Sequence, residues 1–512
     1  MNIAELAVDG IEQFGEYESW HFEEQWHTNV QILECARQMA TVLAEHGVKA
    51  GDRVVVIMMS CMEVPKAFHA IARLGAVAVP IMPQLIPREI NYIVENSGAE
   101  VVITSPMIAP NVAAGVEGIP GFREILTFGD SDVPGTQNIA AEVEAAAPHD
   151  GMYEADEDEL AVIIYTSGTT GNPKGVMLTH GNLVRNIKTT ASIFHAPPRE
   201  RSLMVLPMSH VYGMMLVNIS VLLGGQTFLL AVFDPEKVLQ TIQDHKIERC
   251  SLVPAMQVAL IHHPAREKYD TSSLKYVTAG SAPLTEEVRS TFGKLYDCRV
   301  TDGYGQSEAT CVVSGYTLEQ EPVPGSAGPA IPGVELCILD DDNTPLPPGK
   351  TGEICVRGPN VMKGYWKNEE ATNAAIIDGW LHSGDVGHLD ENGYVFITDR
   401  KKDMIIKGGE NISPREIEEA IVKLPQVAEV SVYAVPDEKF QEEIAATVVP
   451  MPGSGVTEDQ IRDAAAEHVT KFKIPKYVTF TDALPRNANG KILKRTLRDK
   501  FQEASQDVAA TT

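Results

Sequence analysis

The sequence predicts an α/β protein: a large N-terminal domain of two β/α subdomains plus a small β-rich subdomain, joined to a small α+β C-terminal domain. Three observations carry this expectation. Residues 30–105 and 202–278 each alternate helical apolar spacing with short apolar runs, the pattern of parallel strands covered by helices. From about residue 325 the texture changes: Pro329, Pro332, Gly333, Pro345, Pro347, Pro348 and Gly349 crowd between short β runs. After Asp399-Arg400-Lys401-Lys402-Asp403 a compact α+β pattern runs to a frayed end. The expected boundaries are 1–401, with the β-rich part at about 325–401, and 402–512. A chain of 512 residues is too long for one core.

Taken in order, Gln31 to His46 is helical, Arg53 to Met59 a strand, Val64 to Leu74 a helix and Ala76 to Pro80 a strand. Pro87 to Ser97 is a helix opened by proline, and Glu100 to Thr104 a strand. Residues 106–158 are weakly patterned and end in an acidic run, Glu154 to Glu159, read as a solvated connection. Leu160 to Ile164 is a buried strand, and a helix runs from Asn182 with Thr179 as its cap. The second series follows: strand Ser202–Leu206, helix 214–223, strand Gln226–Leu230, helix 235–245, strand Arg249–Val253, helix 255–262 and strand Leu274–Thr278. Short β runs follow at Glu335–Leu339 and Gly352–Arg357.

The bulk numbers exclude some functions. A formal net charge of -28 argues against a nucleic-acid partner and against an anionic membrane surface, though not against a local basic pocket. The 7 cysteines form no CxxC pair and are odd in number, which fits reduced thiols in a cytoplasmic protein. Met1-Asn-Ile-Ala-Glu-Leu6 lacks a basic region followed by an apolar one, so no signal peptide is visible. Leu203 to Gly225 has the length of a membrane span, but Pro207, Ser209, His210, Gly213, Asn218 and Ser220 interrupt it. A buried strand–turn–helix is the expectation there.

One loop dominates the chemistry: Tyr165-Thr166-Ser167-Gly168-Thr169-Thr170-Gly171-Asn172-Pro173-Lys174-Gly175. Glycines let backbone N–H groups turn inward, hydroxyls add donors, and Lys174 adds a full charge. The combination describes a polyphosphate cradle. It is not a Walker A loop, because the place of that motif's second glycine holds Pro173. Further along stand Leu206-Pro-Met-Ser-His210-Val-Tyr212-Gly213, Ala279-Gly280-Ser281-Ala282-Pro283 and Asp302-Gly303-Tyr304-Gly305-Gln306-Ser307-Glu308. In the last, glycines flank a tyrosine, so a ring can lie against a planar ligand while the backbone approaches closely. Trp380-Leu-His-Ser383-Gly-Asp385 places a carboxylate after a turn, able to accept two hydroxyls. The charged stretch Asp399 to Glu418 and the segment Pro485-Arg-Asn-Ala-Asn-Gly490-Lys491 close the set. Taken singly, the histidine reads as a buried core residue, the aspartate as a turn residue and the C-terminal lysine as a solvated side chain.

In series, these motifs resemble the acyl-adenylate-forming (AMP-binding) superfamily, of the acyl-CoA synthetase or fatty-acid–CoA ligase type, over nearly the whole chain. The resemblance implies that Thr166, Ser167, Gly168, Thr169, Thr170, Gly171 and Lys174 hold the phosphates of ATP. The adenine lies between Tyr304 and the segment Gly280, Ser281, Ala282, with Asp302 at its edge and Gly303, Gly305, Gln306 and Ser307 in the same loop. Asp385 and Arg400 take the ribose. Glu308, with Thr166, binds Mg2+, where a carboxylate plus phosphate oxygens is the usual arrangement. His210, Tyr212, Gly213 and Met214, with Gly280 and Gly303, wall the acyl pocket. Lys407, Gly408 and Gly409 line the channel for the pantetheine arm of coenzyme A. Lys402 is the hinge, and Lys491 stabilises the adenylation step. The catalytic set is thus Lys491, Glu308, His210 and Thr166. The family usually has threonine where this chain has Ser307 and Ser383, and often where it has Asn487.

The implied reaction uses ATP, Mg2+ and coenzyme A. A carboxylate attacks the α-phosphorus, pyrophosphate leaves, and a thiol then displaces AMP to give a thioester. A swing about Lys402 would present Lys491 first and the Gly409 face afterwards. The stretch 206–223 has no Asp or Glu to pair an amino acid's ammonium and offers Met208, Met214, Met215, Val217 and Leu222, which favours an apolar fatty or other aliphatic acid. The alternatives left open are an aryl or alicyclic acid, a ligase that stops at the adenylate or loads a carrier protein, and a non-catalytic nucleotide sensor. A homodimer and acylation of Lys491 also stay open.

Overall fold

The computed structural model describes residues 1–166, 172–194, 196–282, 284–437, 439–486 and 492–511. The chain forms two compact units. The first comprises residues 1–336 and 356–382, the second 337–355 and 383–512.

The first unit contains two mixed, mainly parallel sheets. One has eight strands in the order Gly364–Tyr365, Lys174–Thr179, Leu160–Thr166, Val77–Pro80, Arg53–Ile57, Val101–Thr104, Glu124–Thr127, Thr136–Asn138. Its centre is parallel, with Val54 opposite both Ala78 and Val101. Strands Val77–Pro80 and Val101–Thr104 are buried at every position, so both faces are covered, as parallel sheets require. The helix Pro87–Ser97 shows how the sequence sets such a cover. Proline opens it, Gly98 closes it at φ 68°, and Ile90, Ile93 and Val94 pack against Val55, Val79 and Val102. The weakly patterned stretch 106–158 is part of this layer: it supplies helices Ala109–Val116 and Ala140–Ala145 and the sheet's last two strands.

The other sheet has seven strands, ordered Arg299–Asp302, Tyr276–Ala279, Arg249–Leu252, Arg201–Met204, Gln226–Leu229, Glu18–Phe22, Gln25–Thr28. The second β/α series therefore borrows an N-terminal hairpin, with Trp20 opposite Thr227 and His21 opposite Phe228. The apolar stretch 203–225 divides into strand and helix as expected. Helix Val211–Leu223 ends on Gly224 at φ 62°, and no helix among the described residues is long and apolar enough to cross a membrane.

The second unit is α+β. The long antiparallel pair Val427–Asp437 and Gln441–Pro450 is flanked by the hairpin Ile405–Lys407/Glu410–Ile412 and, in parallel, by Tyr477–Phe480. Helices Pro414–Ile421 and Glu458–Ala466 cover a core of Ile405, Ile417, Ile421, Val432, Ile444, Val448 and Ile461. A further antiparallel ladder sets Asp385 opposite Arg400 and Leu389 opposite Val395.

Candidate active site

The segment expected to cradle phosphates lies in the chain between two antiparallel strands. Strands Leu160–Thr166 and Lys174–Thr179 run antiparallel, with Thr166 opposite Lys174 and Tyr165 opposite Gly175. Thr166 and Lys174 thus stand opposite each other where the two strands end. Ser167, Gly168, Thr169, Thr170 and Gly171 lie outside the described residues. Gly175 has a packing reason, because a Cβ there would stand 2.9 Å from Ile163 Cγ2 and 3.2 Å from the Tyr165 ring. Thr179 Oγ1 accepts the Asn182 N–H at 3.1 Å and starts helix His180–Phe194, the expected cap.

Beside the hairpin the structure brings Lys174 and Glu308 together through a residue that sequence reasoning missed. The Lys174 ammonium lies 4.9 Å over the Tyr365 ring, and the Tyr365 hydroxyl donates to Glu308 Oε1 at 3.0 Å. The two-residue strand Gly364–Tyr365 pairs with Lys174–Thr179, Tyr365 opposite Val176, which fixes the ring. Glu308 sits in the 3-10 turn Ser307–Ala309, and its carbonyl accepts the Met362 N–H at 2.9 Å. Tyr365 is 57 residues from Glu308, and only the Gly-Tyr-Trp texture of 364–366 hints at it.

The adenine-side segments leave the C-terminal ends of adjacent parallel strands, where such sheets bind ligands. Ala279 is opposite both Leu252 and Asp302. Beyond Ala279, Gly280 packs on Tyr212: a Cβ there would lie 3.1 Å from the ring. Ser281 holds φ 68°, a strained value for a side-chain-bearing residue. Asp302 Oδ1 accepts the Gly303 N–H at 2.9 Å. Tyr304 is buried and bridged to Ser314. The glycine expected to admit a ligand, Gly305, has another reason. A Cβ there would stand 1.4 Å from the Cys311 carbonyl, so glycine serves the loop's own return. Ser307 is buried, and Gln306 Nε2 is buried without a partner.

On the acyl side, His210 caps helix Val211–Leu223, its Nδ1 accepting the Tyr212 N–H at 3.2 Å. Burial pulls its pKa down to about 4, so the ring is neutral near pH 7 and carries its proton on Nε2. Gly213 is obligatory, because a Cβ would stand 2.1 Å from the Pro207 carbonyl oxygen. The Tyr212 hydroxyl and Thr278 Oγ1 are hydrogen-bonded at 3.2 Å, and Thr278 pairs with Ser251 at 2.7 Å. Met214 is buried. A separate apolar cavity along the same helix is lined by Trp20, Leu203, Leu216, Val217 and Leu223, and by none of the residues expected to wall the acyl pocket. The buried ion pair Arg249–Glu200, 2.7 Å, also borders it.

In the second unit Asp385 and Arg400 meet across their ladder, Arg400 Nε donating to Asp385 Oδ1 at 2.8 Å. The Asp385 N–H donates to Ser383 Oγ at 3.0 Å, so the serine hydroxyl orients the turn. Lys402 is exposed in the turn that follows. Gly408 and Gly409 form a two-residue hairpin turn with φ 58° and 87°, and both are exposed. Lys407 departs from expectation. Its ammonium is buried against Glu443 Oε1 at 2.5 Å, donates to the Phe472 carbonyl at 2.9 Å and lies 4.7 Å from the Phe472 ring. It offers no free charge to a ligand, because the interior of its own unit uses it. Lys491 lies outside the described residues.

Candidate residues at strand ends of mainly parallel sheets and a compact α+β unit make this an α/β protein of two units. The family model described as AMP-binding enzyme matches residues 9–366, and that of the AMP-binding enzyme C-terminal domain matches 416–491. A long-chain-fatty-acid–CoA ligase from Bacillus subtilis is 33% identical, over 97% of this chain and 94% of its own. A feruloyl-CoA synthase from an Amycolatopsis species is 36% identical, over 93% and 94%. The solved ATP-bound MatB from Rhodopseudomonas palustris superposes with a TM-score of 0.90 at 30% identity, covering 98% of this chain and 100% of that one. The chain belongs to the AMP-binding enzyme family.

Proposed function

We propose that this protein is an ATP-dependent carboxylic acid–CoA ligase. It forms an acyl-AMP and pyrophosphate, then acyl-CoA and AMP. The observation that carries the reading is the line Lys174–Tyr365–Glu308, a cation and a carboxylate joined by one tyrosine, which suits a polyphosphate and its counter-ion. Similarity to CoA ligases over the full chain supports the thiol acceptor.

The roles follow from the geometry and the resemblance. Lys174 and the loop hydroxyls hold phosphate oxygens. The neutral Nε2–H of His210 is a donor for the acid's carboxylate in a pocket that must also accept an apolar chain. Asp385 and Arg400 take the ribose, Lys402 is the hinge and Lys491 steadies charge on the α-phosphate in the first step. The exposed backbone of Gly408 and Gly409, without Lys407, lines the path of the pantetheine arm. The Glu308 carboxylate and the Thr166 hydroxyl are hard oxygen donors of the kind Mg2+ takes. Among the described residues Glu308 Oε2 has no hydrogen bond, while Oε1 is held by Tyr365. When bound there, Mg2+ would supply neutralisation of phosphate charge. The domain boundary proposed for this cycle is 401/402.

The acid is an apolar fatty or other aliphatic one, supported by a stretch 206–223 that has no Asp or Glu and offers Met208, Met214, Met215, Val217 and Leu222. A second reading, an aryl acid, is favoured by the similarity to the feruloyl-CoA synthase. The test is ATP consumption by the purified protein with Mg2+, coenzyme A and a panel of aliphatic and aryl acids, separating AMP from ADP. AMP formed only with certain acids and coenzyme A is the expected result and names the acid. AMP formed without coenzyme A would mark an adenylate-only or carrier-loading enzyme. No turnover with any acid would overturn the ligase reading.

A further inference from the structure

Far along the second sheet from the strand ends, three side chains of the first unit converge at its edge. His21 lies in strand Glu18–Phe22, Glu24 in the turn after it, and His245 is the last residue of helix Pro235–His245. One ligand atom from each, two imidazole nitrogens and a carboxylate oxygen, lie within 4.8 Å of one another. We propose that His21, Glu24 and His245 form a divalent transition-metal site of the zinc class, with water in the fourth position.

The chemistry fits. Two imidazoles and a carboxylate are a familiar zinc donor set, with bonds of about 2.0–2.2 Å. Tetrahedral bonds of that length put ligand atoms roughly 3.4 Å apart, so closure asks for about an ångström of movement. Glu24 is exposed and can supply it by rotamer change. Among the described residues, neither imidazole nor the Glu24 carboxylate makes a hydrogen bond or ion pair, so nothing must be broken first.

The scaffold is built to hold the imidazoles. His21 and His245 stand 4.6 Å apart between ring centroids, and Phe228 lies 5.2 Å from His21 and 4.7 Å from His245. Trp26 presents an edge to His21 at 5.1 Å. This aromatic wall fixes ring orientation and shields the cluster from behind. The position at a helix C-terminus also favours a cation. The turn carrying Glu24 is costly: Glu23 and Glu24 hold φ 48° and 61°, where Asn-Gly would be the easy choice. A carboxylate is thereby kept on the hairpin tip facing the helix end. Bound metal would clamp the N-terminal hairpin to helix Pro235–His245, independently of the ligase chemistry.

The test is equilibrium titration of the full-length, tag-free, metal-stripped protein with Zn2+ against a chromophoric chelator, and with Co2+ followed by its visible spectrum. The expected result is one saturable equivalent. Its Co2+ spectrum should show four- or five-coordinate bands and lack thiolate charge transfer, which separates it from the cysteines. His21→Phe and His245→Phe preserve the ring stacking and should each abolish the site, with thermal stability without metal unchanged. Glu24→Gln should weaken binding roughly tenfold or more. No saturable equivalent, or equal affinity in the His21→Phe/His245→Phe double variant, would overturn the proposal.

Discussion

Two buried polar sites, one in each unit, are held in opposite ways. In the first, His180 is 1% exposed and neutral: its Nδ1 accepts the Ile3 N–H at 3.1 Å, and burial pulls its pKa down to about 4. In the second, Lys407 and Glu443 form a buried ion pair at 2.5 Å, with side chains 7% and 5% exposed. A neutral buried group is harmed by gaining a proton. A buried pair is harmed by losing a partner. The His180 site should therefore answer to acid and the Lys407–Glu443 pair to single substitutions.

The largest effect tests the pair. Lys407→Met strands the Glu443 carboxylate in the core and should cost about 3–5 kcal/mol in chemical denaturation of the second unit's transition. Adding Glu443→Leu should recover most of it. If the double variant is as unstable as the single one, the stability comes from packing and the comparison between units fails. Next is Lys491→Ala, which should lower adenylation roughly 10²–10³-fold, the scale for one lost electrostatic group. Thioester formation from supplied acyl-AMP should persist. Equal loss in both half-reactions would remove Lys491 from its assigned step.

Acid tests the His180 site. The folded pKa of His180 lies below the unfolded value near 6.5, so between these values the unfolded chain binds more protons. The contribution is complete above pH 6.5 and is lost as pH falls toward 4, on the order of 3 kcal/mol. His180→Asn, which keeps an acceptor for Ile3, should flatten the pH dependence of the melting temperature in that window. An unchanged slope would assign acid sensitivity elsewhere.

What is legible in the sequence divides along physical lines. Helices Pro87–Ser97 and Pro235–His245 carry their own caps and periodicity, and both lie where the pattern puts them. The hairpin Glu18–Thr28 does not, because Phe22-Glu23-Glu24-Gln25 lacks the Asn-Gly chemistry that announces a two-residue turn. Strands such as Glu124–Thr127 are too short to show a period, so the stretch 106–158 reads as featureless. For the site, local motifs mark Thr166, Lys174, His210, Glu308 and Asp385, since each sits among glycines or a turn. The contact from Lys174 through Tyr365 to Glu308 is long-range. The partnership of Lys407 with Glu443 spans strands, and local texture gives it no signal.

Tyr365 is the sharpest case of that long-range information, and its variant should have the smallest effect. Tyr365→Phe keeps a ring under Lys174 and removes only the hydroxyl that donates to Glu308 Oε1. A hydrogen bond is worth about 1 kcal/mol net, so adenylation kcat/KM should fall several-fold, up to roughly tenfold. The fold should be untouched, because strand Gly364–Tyr365 is held by backbone pairing to Val176 and Met177. A freed Glu308 carboxylate would be less well aimed, so the Mg2+ concentration for half-maximal rate should rise. Tyr365→Leu also removes the cation–π contact with Lys174, worth about 0.5–1 kcal/mol, and should raise the KM for ATP further. An unchanged Mg2+ requirement in Tyr365→Phe would show that Glu308 is positioned by its 3-10 turn alone. The first unit's site would then depend on local backbone, and the contrast with the paired side chains of the second unit would be wider still.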